Sequence, residues 1–226
     1  LTPIIPNEKK VFDNDISRIL VGDDGTIWIS SQSDGILKCM GGTVTVLNKK
    51  NAKLADNEVY TIFLDRKQHL WAGTDKGVSY LEGGFFISYD KKNSSLPHNE
   101  VHAICEDESG TIYLGTKKGL ATWKDGQISV VPQYEKVWVK HLGCDKNGSL
   151  WIGTPYDGLF RYRSEESYSY LQNSILEFAQ VTELMMAPQK DHLWIILQAP
   201  NTVMPAFSSG ENLKKAEERL SQYDEN

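Results

Sequence analysis

Side chains that could transfer protons recur along this sequence at a nearly constant spacing. They are Ser17, Tyr60, His102, Lys140 and Glu183, and successive members are 43, 42, 38 and 43 residues apart. An imidazole, an amine and a carboxylate could together perform general acid–base catalysis, which needs two groups whose surroundings separate their pKa values. The obvious pair, His102 and Glu183, lies in copies of the spacing that need not adjoin in space. We therefore interpret these five positions, here called the polar column, as the solvated lining of a channel.

Aromatic residues form a second group, because they break the pattern of the copies. Asp15, Glu58 and Glu100 share one position, but the fourth copy has Trp138 there. The loops TDKG and TKKG become TPYDG in the same copy, which introduces Tyr156. Flat rings offer a sugar an apolar surface, and they also anchor protein interfaces.

These departures predict that Trp138 and Tyr156 line a ligand or partner site. The alternative is that both rings pack against a neighbouring loop or the C-terminal segment. The predicted ligand-binding set is Trp138, Tyr156, Tyr60, His102 and Lys140. We expect no catalytic residue, no metal ligand and no cofactor.

A repeat must position all of these residues. An aromatic residue recurs as Trp28, Trp71, Tyr113, Trp151 and Trp194. The segments around it, such as HLWAGTDKGV, TIYLGTKKGL and SLWIGTPYDGL, align with one another, and KNAKLADNEV aligns with KNSSLPHNEV further from the aromatic. A fixed period of about 40 residues over most of a chain is typical of a repeat architecture. The shared residues are therefore expected to build the scaffold, and function is expected where one copy departs.

Residues 101–132 show what one repeat builds. VHAICED, TIYLGT, LATWK and QISVVP read as four short strands, separated by glycine-containing turns. The first strand of each copy has apolar residues three apart, such as Val101 and Ile104, which indicates a bulge or a sheet covered on both faces. Such a sheet buries its faces when it is repeated around an axis. The predicted fold class is therefore all-β, a β-propeller of four-stranded antiparallel blades.

The expected domain is a propeller region over residues 1–197, with four complete repeats and a partial fifth. The repeat boundaries are about 15–58, 59–100, 101–136, 137–174 and 175–197. Residues 198–226 are expected to form an irregular segment and a short helix, with no third strand for the last blade. The segment 1–13 could supply the outer strand of that blade. An array left open would expose an apolar edge and predict a protein partner or a homo-oligomer.

The composition excludes several classes of function. The chain has 226 residues, a net charge of −6 and a pI near 5.4, which argues against nucleic acid as a partner. No apolar run approaches the roughly 18 residues of a membrane span. Three cysteines without a CxxC pair predict neither a disulfide framework nor a metal site, and we expect them to be small buried residues.

The motif D-x-x-G-x-[LI]-W-x-G-T-x-x-G-[LV], preceded by N-[DE]-[VI], resembles the repeat of the two-component regulator propeller family. Residues 145–154 match it best, residues 107–116 match with Tyr113 for Trp, and residues 65–74 match with Gln68 for Gly. The first copy has Ser30 and Ser31 in place of Gly-Thr. The resemblance covers about residues 14 to 197.

The resemblance implies an extracytoplasmic or periplasmic sensor propeller of a histidine kinase or hybrid two-component system. Many such sensors in Bacteroidetes respond to oligosaccharides, so an oligosaccharide ligand is expected. The family supplies no catalytic residue. Three functions stay open: a non-enzymatic sensor, a scaffold for protein partners in a secretion or envelope assembly, and, less favoured, a propeller lyase or glycosidase.

Overall fold

The computed structural model describes residues 15–163, 166–169, 180–186, 193–199, 202–203 and 207–208. The described strands form five antiparallel sheets of four strands each. The predicted all-β propeller of four-stranded blades is confirmed. The N-terminal segment 1–13 and the C-terminal helix lie outside the described residues.

Each of the first four sheets, here called blades 1 to 4, is a meander of consecutive strands. Blade 1 contains β1 (Ile16–Val21), β2 (Ile27–Ser31), β3 (Ile36–Met40) and β4 (Thr43–Leu47). Blade 2 contains β5 (Val59–Leu64), β6 (Leu70–Thr74), β7 (Gly77–Glu82) and β8 (Phe85–Tyr89). Blade 3 contains β9 (Val101–Glu106), β10 (Ile112–Thr116), β11 (Gly119–Lys124) and β12 (Gln127–Val131), followed by a 3-10 turn at Pro132–Tyr134. Blade 4 contains β13 (His141–Cys144), β14 (Leu150–Gly153), β15 (Leu159–Arg163) and β16 (Glu166–Ser169).

Blade 5 has a divided third strand. Its strands are β17 (Gln180–Met186), β18 (Leu193–Ala199), β19 (Thr202–Val203) and β20 (Phe207–Ser208). Both short strands pair with β18, one at each of its ends. The expectation that no third strand follows Leu197 is therefore wrong. Two short segments fill that position, each too brief to give a strand pattern in the sequence.

The inner strands of successive blades pack side by side in chain order. β1 contacts β5, β5 contacts β9, β9 contacts β13, and β13 contacts β17. In β1, β5, β9 and β17 the pairing register shifts by one residue near the start of the strand. This bulge explains why the apolar residues there are three apart instead of two.

The aspartate of the repeat motif organises the turn between the first two strands. Asp65 Oδ1 accepts hydrogen bonds from the backbone N–H groups of Lys67 and His69, at 2.9 and 2.8 Å. Its Oδ2 accepts one from the indole Nε1 of Trp71, at 3.0 Å. Asp145 binds Trp151 in the same way at 3.0 Å, and Asp107 binds the Tyr113 hydroxyl at 3.3 Å. The spacing from aspartate to aromatic residue thus has a structural role in blades 2, 3 and 4.

The Gly-Thr pair of the motif is also structural. The hydroxyls of Thr74, Thr116 and Thr154 each donate to a carbonyl in the following turn, at 2.7–2.8 Å. A Cβ added at Gly73 would lie 2.5 Å from the carbonyl oxygen of Val101. The glycine therefore lets the inner strand of the next blade approach the second strand closely.

Apolar clusters fill the spaces between neighbouring blades. Trp28 and Ile36 of blade 1 pack with Val59 and Ile62 of blade 2, and equivalent clusters join blades 2 and 3 and blades 3 and 4. The corresponding residues of β1 differ, because Ile16 and Ile19 are both 55% exposed, whereas Val59 and Ile62 are at most 1% exposed. The first strand therefore presents an apolar edge to solvent.

A disulfide joins Cys105 on β9 to Cys144 on β13. The expectation of three small buried cysteines holds only for Cys39, which is free and buried. The two bonded cysteines lie 39 residues apart, on inner strands that the fold makes neighbours, so no short sequence motif marks them. The disulfide links blade 3 covalently to blade 4.

Candidate functional site

The starts of the inner strands and the turns after the second strands lie on one face of the propeller. Backbone N–H groups connect them: Asp75 donates to Glu58 at 3.1 Å, and Lys117 donates to Glu100 at 3.1 Å. In blade 4 the corresponding residues are Trp138, just before β13, and the turn at 154–158. We call this side of the molecule the upper face. The sequence had predicted that these two sets of segments share a face.

A row of four rings crosses the upper face over blades 2, 3 and 4. Tyr60 stacks on His102, with ring centroids 4.5 Å apart and planes 23° apart. His102 is followed by Trp138 at 5.7 Å, and Trp138 by Tyr156 at 5.9 Å. The structure therefore brings together four of the five residues predicted for ligand binding. Tyr156 is 65% exposed, so it is not covered by a neighbouring loop.

Lys117 and Glu100 form an ion pair beside the middle of this aromatic row. Lys117 Nζ is 2.9 Å from Glu100 Oε1 and lies 5.8 Å from the centre of the Trp138 ring. Glu100 Oε2 lies 3.5 Å from His102 Nε2. Burial opposes the ionisation of Glu100, but the hydrogen bond and charge of Lys117 outweigh it and lower the pKa of this carboxyl. Sequence reasoning missed Lys117, although it follows the motif threonine at a position that points to the upper face.

The other end of the row carries a tyrosine held by two carboxylates. The Tyr60 hydroxyl lies 3.1 Å from Glu58 Oε1 and 3.3 Å from Asp75 Oδ1. Burial, and then the bond to Glu58, raise the pKa of Tyr60, so its hydroxyl stays protonated and serves as a donor. Burial likewise lowers the pKa of His102, which keeps its ring neutral near pH 7.

The pairing register shows that Glu183 was wrongly assigned to the polar column. Val181 pairs with Leu197 as Val59 pairs with Thr74, so Thr182 is the residue equivalent to Tyr60. Glu183 belongs to the next position. The error has a physical cause: Met185 pairs with Trp194 where Phe63 pairs with Trp71, so the connection in blade 5 is one residue longer.

The corrected register shows a second column of equivalent positions, one residue further along each inner strand. Its members are Arg18, Thr61, Ala103, His141 and Glu183. Sequence reasoning missed this column, although its members vary from copy to copy as those of the polar column do. The assignment of Glu183 to the same column as His102 is therefore wrong.

Residues of both columns line a cavity of about 300 Å³ where the five inner strands meet. Its polar lining includes Arg18, Tyr60, His102, Lys140, His141 and Glu183. The predicted channel lining is thus found, and Tyr60 and His102 also connect the cavity to the aromatic row. Within the described part of the chain, no three His, Cys, Asp or Glu side chains are grouped as a metal site.

Burial and the charges of the cavity change the pKa of His141. Burial, followed by the positive charges of Lys140 and Arg18, lowers the pKa of His141 to about 4. Its Nε2 atom is buried and has no hydrogen-bond partner among the described residues. Both His141 and His102 are therefore neutral near pH 7.

Four-stranded blades around a central cavity, with the exposed ring of Tyr156 on one face, define a β-propeller. The two component regulator propeller family matches two segments of the chain, residues 53–76 and 95–118. The resemblance predicted from the motif is confirmed. No curated protein sequence shows significant similarity to the chain.

Several solved structures share the fold. The extracellular domain of a hybrid two component system from B. thetaiotaomicron matches with a TM-score of 0.61 and 21% identity, over 80% of this chain and 25% of that one. Virginiamycin B lyase from Staphylococcus aureus matches with a TM-score of 0.65 and 15% identity, over 85% and 69% of the two chains. A gluconolactonase from Xanthomonas campestris matches with a TM-score of 0.55 and 12% identity, over 84% and 70%.

These similarities establish the fold, which serves both sensor domains and enzymes. The chain spans a quarter of the length of the B. thetaiotaomicron domain. None of the helices in the described residues has the length and apolar character needed to cross a membrane.

Proposed function

We propose that this chain is part of a non-enzymatic sensor propeller of a bacterial two-component system and binds a glycan-like ligand on its upper face. The observation that carries the proposal is the aromatic row, which ends in the exposed ring of Tyr156. Trp138 and Tyr156 interrupt positions that hold Glu or Lys in other blades, and such rings suit the apolar face of a sugar. The two component regulator propeller repeats support the signalling context.

The polar groups beside the row fit the hydroxyls of a carbohydrate. Glu58, Asp75 and Glu100 supply acceptors, and the ammonium group of Lys117 supplies donors. The buried indole N–H of Trp138 has no acceptor among the described residues, which leaves a donor for a ligand.

The disulfide supports an extracytoplasmic or periplasmic location, since such bonds persist in oxidising compartments. Transmission of a signal to a kinase, and an origin in Bacteroidetes, follow from the family resemblance and are part of the same proposal.

Isothermal titration against a panel of neutral and acidic oligosaccharides tests the proposal. We expect binding that is lost, or weakened at least about tenfold, in the Trp138→Ala/Tyr156→Ala variant, because stacking is worth about 1–2 kcal/mol. A matched control is Phe85→Ala, an exposed aromatic residue on β8 away from the row. Unchanged binding in the double variant would exclude the aromatic row as the site.

A scaffold for protein partners is the second candidate function, and the exposed apolar edge of β1 favours it. Ile16, Ile19 and Val21 are 55–65% exposed, and together they could seat a second copy of the chain. Sedimentation analysis tests this alternative: a dimer that Ile19→Asp dissociates would support it. A monomer that binds sugar would favour the sensor.

A further inference from the structure

Arg18 and Lys140, which line the central cavity, lack the acidic partners that Lys76 and Lys117 have among the described residues. Lys76 lies 2.7 Å from Asp56, and Lys117 lies 2.9 Å from Glu100. Arg18 and Lys140 also face this region, but neither forms an ion pair or a side-chain hydrogen bond within the described residues. Both nevertheless line the same cavity.

Arg18 and Lys140 come from different blades and converge near one imidazole. Arg18 lies on β1, and Lys140 directly precedes β13. The charges of both act on His141 from within the same cavity, and its unpartnered Nε2 is a further polar atom there. Side chains from blades 1 and 4 thus line the same cavity, where the inner strands meet.

The described lining carries two formal positive charges and a single negative one, on Glu183. Arg18 and Lys140 are both exposed, so solvent screens their mutual repulsion, and an anion that contacts both is attracted by two positive charges at once. Guanidinium and ammonium groups bind carboxylate and sulfate oxygens through strong, charge-assisted hydrogen bonds. Glu183 would accept hydroxyl hydrogens from the same ligand.

We propose that the cavity binds an anionic substituent, a carboxylate or a sulfate, of a sugar that lies on the aromatic row. This inference rests on the proposed function and narrows its ligand to an acidic oligosaccharide. Arg18 and Lys140 contact the anion, and Tyr60 and His102 connect this position to the stacking rings. The protein as a whole is acidic, so the preference comes from this local arrangement.

Titration of three probes tests the inference: a galacturonate trisaccharide, a sulfated galactose trisaccharide and the neutral galactose trisaccharide. The variant is Arg18→Gln/Lys140→Gln, which removes both charges and keeps polar side chains. Lys118→Gln is the matched control, an exposed lysine near the same face that does not line the cavity. Thermal melting verifies that all variants are folded.

We expect wild type to bind one or both acidic probes more tightly than the neutral one. The double variant should weaken acidic binding about 100-fold, at about tenfold for each charge-assisted contact, and should leave neutral binding within about twofold. The tighter acidic probe distinguishes carboxylate from sulfate. Lys118→Gln should bind all three probes as wild type does.

Equal affinity for acidic and neutral probes, or acidic binding that survives the double variant, would overturn the inference while leaving the sensor proposal intact. Acidic binding that is lost in Arg18→Gln/Lys140→Gln but persists in Trp138→Ala/Tyr156→Ala would support the anion site and refute the stacking site. Failure of every probe to bind would overturn both.

Discussion

Replacing Asp65 by Ala should destabilise the protein by about 3–4 kcal/mol, mainly through one indole group. Asp65 is 6% exposed, and its carboxylate accepts from two backbone N–H groups and from Trp71 Nε1. Trp71 is 1% exposed, so its N–H would be left without an acceptor, at a cost of about 1.5–3 kcal/mol. The two turn N–H groups can reach water and should add about 1–2 kcal/mol together.

Urea unfolding followed by circular dichroism measures this loss, and Asp107→Ala is the matched control. Asp107 makes the same turn bonds, but its aromatic partner is the Tyr113 hydroxyl at the longer distance of 3.3 Å, so we expect a loss of only about 1–2 kcal/mol. A double-mutant cycle of Asp65→Ala with Trp71→Phe should give a coupling energy of at least about 1 kcal/mol. Equal losses at the two aspartates, or a coupling near zero, would refute the assignment of the cost to the indole.

Two further predictions concern packing and pH. Gly73→Ala should lower the free energy of unfolding in urea by more than about 2 kcal/mol, because its Cβ would meet the Val101 carbonyl oxygen. The control Gly126→Ala meets no atom within 4 Å and should lose only about 1–2 kcal/mol, from its positive φ. Equal losses for the two variants would contradict the close approach at Gly73. The pKa of His141 is lowered from 6.5 to about 4, so between these values the unfolded chain binds a proton that the folded chain does not. Stability should therefore fall as the pH is lowered from 6.5 to 4, by up to about 1.4 kcal/mol per pH unit. His141→Gln should reduce this slope in urea unfolding at stepped pH, leaving a smaller one from His102; an unchanged slope would show that His141 is not buried in its neutral form.

The scaffold could be predicted from the sequence because its residues recur. The aspartate, the aromatic residue and the threonine of the Gly-Thr pair make equivalent hydrogen bonds in blades 2, 3 and 4, so comparing copies within one chain identified them as structural. The same comparison placed Trp138 beside Tyr156, since both depart from the pattern in blade 4 and the repeat assigns both positions to one face. Their centroid distance of 5.9 Å agrees with that interpretation. Ligand binding by these residues stays a prediction.

Other features depend on information that the repeat does not carry. The position of Glu183 was misjudged because one extra residue lies between Met185 and Trp194, and a spacing pattern cannot show on which side of a turn an insertion falls. The disulfide was missed because Cys105 and Cys144 sit one register position apart on separate strands. Arg18 escaped notice because the bulge in β1 moves the residue after it to the cavity. Each of these errors is a matter of local register within a fold that was predicted as a whole.

The junction between two blades also determines how a gene that encodes these repeats can change its length. Gly73 of one blade packs closely against Val101 of the next, and Gly115 packs against Val139 in the same way. Because the two junctions have the same shape, unequal recombination between the segments encoding KNAKLADNEV and KNSSLPHNEV would delete or duplicate one blade and leave every junction matched. The ring can therefore grow or shrink by whole blades over evolutionary time, while the residues of the upper face diversify independently in each copy.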